Sequence, residues 1–103
     1  MAQRLIQEVE LDEGGHLRVR PQLSTGDDYS YIYRDASGIT WIPGLAAFGA
    51  REPHRWEPLE LFQQILHAVR NEYGHHLVLS VQTQWRNVPA DLQAKIRELP
   101  LDG

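Results

Sequence analysis

A chain of 103 residues, 42% of them hydrophobic, is near the usual size for one core, so a single domain over residues 1–103 is expected. Its formal charge of −4 disfavours general nucleic-acid binding, because a phosphate backbone rewards a basic face. The absence of cysteine excludes disulfide staples, thiolate metal sites and a cysteine nucleophile.

The N-terminal residues lack the apolar centre of a secretory signal, and no window approaches the roughly 18 apolar residues of a membrane span. A cytoplasmic protein without membrane contact is therefore expected. Nine arginines against one lysine suit a bacterial-type composition.

The first element is a hairpin whose register can be read from its charges. With Glu13, Gly14 and Gly15 as the loop, Leu11 faces Leu17, Val9 faces Val19, Glu10 faces Arg18 and Glu8 faces Arg20. All apolar residues then share one face, and the charged pairs share a solvent face. Slipping by one residue would oppose Leu to Arg and Glu to Val.

Asp35-Ala-Ser-Gly38 repeats the Asp-x-x-Gly spacing and predicts a second hairpin, in which Tyr33 faces Trp41 and Ile32 faces Ile42. Tyr29, Tyr31, Tyr33, Ile39 and Trp41 would line one side and Ile32 and Ile42 the other. A sheet covered by helices on one face would then leave an aromatic patch in search of a partner, a ligand or a covering loop.

The stretch Trp41–Pro58 has neither helical nor strand period, and long connections of this kind are often functional. Its first half, Gly44–Gly49, is glycine-flanked and apolar, a hinge-permitted lid or a short helix that buries Phe48. Its second half, Arg51-Glu-Pro-His-Arg-Trp-Glu-Pro58, is stiffened by prolines and carries Glu52, His54, Arg55 and Glu57.

A helix is predicted from Pro58 to Gly74, with Leu59, Phe62, Ile65, Leu66, Val69 and Tyr73 on its apolar face. His76–Trp85 reads as one strand in which Leu77, Leu79 and Val81 alternate with Ser80 and Gln82. A second helix is expected after Asn87 as N-cap, with Val88, Leu92, Ile96 and Leu99 as its stripe and Pro100 as its stop. The expected class is α+β: a mostly antiparallel sheet in ββββαβα order with two helices packed on it.

No motif names a reaction. The chain has no phosphate-binding Gly-rich loop, no Gly-x-Ser-x-Gly elbow and no His-Glu-x-x-His helix, so no cofactor and no metal site are implied. His75 and His76, adjacent in a strand, point to opposite faces; His16 and His67 read as solvated or cross-strand residues, and Asp27-Asp28 as a polar turn. His54 is the one residue proposed for chemistry, because a carboxylate beside a stiffly held imidazole is an acid/base pair.

The favoured reading is a non-enzymatic binding protein that homodimerises through Tyr31, Tyr33, Trp41, Leu45, Phe48, His54, Arg55 and Trp56, since aromatic residues are enriched in interface cores. Blocking a basic protein partner is another form of it. The alternative is a small-ligand pocket or minor enzyme, with His54 and Glu52 or Glu57 as acid/base under a Gly44–Gly49 lid.

Overall fold

A computed structural model describes residues 2–23, 29–32, 38–51 and 56–99. Strands β1 (Ala2–Leu11) and β2 (Leu17–Pro21) form the first hairpin in the register read from the charges: Leu11 opposite Leu17, Glu10 opposite Arg18, Val9 opposite Val19, Glu8 opposite Arg20. The Gly15 N–H donates to the Asp12 carbonyl at 2.9 Å, and the left-handed φ of +80° at Gly15 lets the chain re-enter the ladder. Val9, Leu17 and Val19 are buried.

The charged face is drier than expected. Glu8 and Arg20 side chains are only 14% and 22% exposed. Arg20 bonds Glu8, reaches Glu10 at 3.2 Å and donates from Nε to the Leu45 carbonyl at 3.0 Å. Arg18 turns to Asp12 at 2.9 Å instead of to its opposite residue Glu10. The ladder is thus partly diagonal, with each guanidinium taking the carboxylate or carbonyl it can reach flat along the sheet.

The second hairpin differs from expectation. Strand β3 (Ile39–Ile42) pairs forward with β4 (Ala47–Ala50), Trp41 opposite Phe48 and Ile42 opposite Ala47. It does not pair back to Tyr29–Ile32, whose residues lie in a turn. The turn is Pro43–Ala46, closed by Leu45 N–H to the Ile42 carbonyl at 3.0 Å, and its left-handed residue is Ala46 at φ +51°. The Gly44–Gly49 segment is therefore a turn and a strand, neither a hinged lid nor a short helix, and it buries Phe48. Gly49 packs closely: a Cβ there would lie 3.2 Å from Ile42 Cδ1, so a larger residue needs that side chain to shift.

Helix α1 (Pro58–Tyr73) begins on its proline and ends at Gly74, whose φ of +69° is the left-handed conformation that closes helices. Leu61, Phe62, Ile65, Ala68 and Val69 are its buried residues; Leu59, Leu66 and Tyr73 flank them. Burying side chains such as Phe62 and Ile65 contributes about 1.5–3 kcal/mol each. The helix lies across the sheet, touching β2, β3 and β4, and returns the chain to the far edge of β1.

That edge carries two short strands where one was expected. β5 (His75–Val78) runs parallel to Ala2–Leu5 of β1, and β6 (Gln84–Arg86) runs parallel to Glu8–Glu10. The sheet is mixed, in the order β3-β4-β2-β1-β5 with β6 also on β1. Element order is ββββαββα.

Helix α2 (Ala90–Arg97) is capped by Pro89, not Asn87. Asn87 instead takes a left-handed φ of +58°, which its short polar side chain tolerates. Val88 and Ile96 reach the core, and Leu92 and Leu99 are half-buried. No described helix is long and apolar enough to cross a membrane. The readings that involve Tyr33, Asp27-Asp28, Asp35–Ser37 and Pro100 lie outside the described residues.

Candidate functional site

Part of the expected aromatic surface, Tyr29 and Phe48, faces inward. Tyr29 is buried among Trp41 (ring centroids 5.4 Å apart), Phe48 (5.0 Å), Tyr73 (5.0 Å) and His75 (5.6 Å). Such edge-on and tilted contacts stabilise a core through ring quadrupoles as well as area. Phe48 is 0% exposed and cannot meet a partner in this fold. Trp41 packs on it at 4.9 Å, and Trp56 lies against Gly38. Of the proposed contact residues, Tyr31 (48% exposed) and Leu45 (40%) face solvent. Tyr33, Glu52, His54 and Arg55 lie outside the described residues. Glu57 is exposed and gives its carbonyl to Leu61 N–H at 2.8 Å.

The other histidines have definite places. His75 Nδ1 and the Tyr29 hydroxyl are hydrogen-bonded at 2.8 Å, which ties the 29–32 turn to the sheet. His16 Nδ1 approaches Asp12 at 3.4 Å, and His67 is exposed. The His16 backbone N–H donates to Asp12 Oδ1 and holds this carboxyl below its usual range; the nearby His16 and Arg18 charges add to the effect and burial opposes it. Among the described residues, no three carboxylate or imidazole side chains gather to hold a metal ion.

A concave site lies instead on the far edge of β1. An open cleft of about 1040 Å³ is walled by Val78, Leu79, Val81, Trp85 and Leu99, with Gln3, His76, Ser80, Thr83 and Arg97 as its polar groups. It exists because the expected strand breaks. Opposite the break, β1 bulges between Ile6 and Glu8. The Thr83 hydroxyl donates to the Ile6 carbonyl at 2.7 Å and accepts from Ser80 N–H at 3.0 Å. The turn is closed by Thr83 N–H to the Ser80 carbonyl at 3.2 Å and by Gln82 N–H to Ser80 Oγ at 3.1 Å. Because these bonds satisfy the backbone locally, the segment need not continue as a strand.

The turn throws Val81 out of the core. The alternation with Leu77 and Leu79 placed it inside, yet it is 103% exposed, at the rim of the cleft. Across the cleft, the Arg97 guanidinium stands 5.2 Å from the centre of the Trp85 ring. Sequence reasoning missed Val81, Trp85 and Arg97 as a group. The Ser-x-x-Thr spacing of Ser80 and Thr83 was the available signal, since both residues can bond their own backbone.

A small α+β protein with a mixed sheet and a cleft at its edge is the class that these features define. The family model described as Integron Cassette Protein Hfx_Cass5 matches residues 5–83, and the chain belongs to that family, one of unknown function. A solved structure, the integron cassette protein Hfx_Cass5 from the mobile metagenome of North West Arm Sewage Outfall, is 33% identical over 94% of each chain, with a TM-score of 0.46. Among curated proteins, none matches. The family match takes in the Ser80–Thr83 turn and stops before Trp85 and α2.

Proposed function

We propose that the protein is a non-enzymatic binding protein whose ligand site is the cleft beside β5, β6 and the end of α2. The observation that carries this reading is Val81, a β-branched apolar side chain held fully in water by a turn whose own hydrogen bonds are satisfied. Exposing it forgoes about 1.5 kcal/mol or more of burial, a cost that a bound ligand recovers. The cleft volume stands just above the ~300–1,000 Å³ range of small-molecule sites, and its lining combines apolar walls with polar groups as theirs does.

The neutral fluorophore N-phenyl-1-naphthylamine tests this. Saturable one-to-one enhancement that Val81→Ser and Trp85→Ala both weaken supports the cleft. No enhancement, or enhancement indifferent to both substitutions, contradicts it.

Self-association is a second reading, favoured by exposed Leu45 in the β3–β4 turn and exposed Tyr31 beside the end of α1. Native mass spectrometry at micromolar concentration decides it: a dimer lost on Leu45→Ser supports it, and a monomer contradicts it.

A further inference from the structure

We infer that the cleft selects an organic anion, a ligand with a flat apolar body and one carboxylate or similar acidic group. This rests on the cleft being the binding site. Arg97 is the only charged side chain among its described lining residues, although the chain as a whole is acidic. It is also uncommitted. Arg18 is tied to Asp12, Arg20 to Glu8 and Glu10, and Arg86 lies 3.9 Å from Glu8, whereas no described carboxylate pairs with Arg97.

The contact with Trp85, guanidinium carbon 5.2 Å from the ring centre, gives the N–H groups of Arg97 no carboxylate, and arginine takes a ligand carboxylate with two parallel hydrogen bonds. The Thr83 hydroxyl has already spent its hydrogen on the Ile6 carbonyl, whereas Ser80 Oγ accepts from Gln82 and keeps its own neutral, weaker O–H donor. An acidic group entering the cleft therefore meets Arg97 as its strongest donor, while Val78, Leu79, Val81 and the exposed part of Trp85 receive the apolar body. The net negative charge gives no long-range attraction for such a ligand, so selection is by contact.

The test compares three isosteric compounds on the full chain: naphthalene-2-carboxylate, naphthalene-2-methanol and naphthalene-2-methylammonium. Affinities come from calorimetry and the binding position from amide shifts. The carboxylate is expected to bind at least about tenfold tighter than the alcohol, with the ammonium weakest, and Arg97→Gln is expected to cut the carboxylate's advantage to under about twofold. Alcohol or ammonium binding as tightly as the carboxylate overturns the anion assignment and leaves the cleft reading standing. Failure of all three to shift amides of the cleft overturns both.

Discussion

Strand β1 has two unlike edges. Along β2 the ladder runs in register from Glu8 to Leu11, with apolar residues on one face and charges neutralised against one another on the other. Along β5 and β6 the ladder is interrupted, a threonine hydroxyl replaces a backbone partner, and a valine is expelled into water. The first edge spends its hydrogen bonds on holding the sheet together. The second spends them on presenting side chains around a concave surface, which is what a binding site requires of a rigid scaffold.

The contrast can be broken most severely at Thr83. Thr83→Val keeps the shape but leaves the Ile6 carbonyl and the Ser80 N–H unsatisfied, so a loss of about 2–4 kcal/mol is expected in urea unfolding. On the other edge, Arg20→Met strands Glu8 and Glu10 at a half-buried face, with an expected loss of about 1–2 kcal/mol because part of the charge remains solvated.

Asp12→Ala removes the acceptor for the Gly14 and His16 N–H groups at the hairpin loop and is expected to cost about 1 kcal/mol. Because the folded state lowers the pKa of Asp12, its contribution is complete above the unfolded value and fades as pH falls through the folded one. Stability should therefore decline below about pH 5, and less steeply in Asp12→Asn, as unfolding midpoints across that range will report. Smallest of all is Val81→Ser. Stability should change by no more than about 0.5 kcal/mol, while binding at the cleft weakens.

The unequal edges also explain what the amino-acid sequence disclosed. The β1–β2 register was legible because its turn, its charges and its apolar face lie within fourteen residues and all agree. Helix α1 was legible for the same reason, from Pro58 and Gly74 at its ends and a periodic stripe between. The β3–β4 hairpin was not. Ile39–Ile42 has strand-forming residues on both sides of it, and the turn that decides its partner places Ala46, not a glycine, in the left-handed region. The aromatic residues then followed the wrong partner: Phe48 and Trp41 became a pair on the core side, closed over Tyr29.

The break between β5 and β6 was hidden for a different reason. The Thr83–Ile6 bond joins residues 77 apart, and the local sign that the alternation of Leu77, Leu79 and Val81 ends is only the spacing of Ser80 and Thr83. The candidate site depends on that one non-local bond. It brings together Val81, Trp85 and Arg97, none of which stands out singly.

Residue-resolved amide spectra of the protein titrated with naphthalene-2-carboxylate test the account most directly. It requires shifts concentrated from Val78 to Trp85 and at the end of α2, with Tyr31, Trp41 and Leu45 unmoved. Shifts centred on Tyr31 and Leu45, or none at the cleft under saturating ligand, would contradict it.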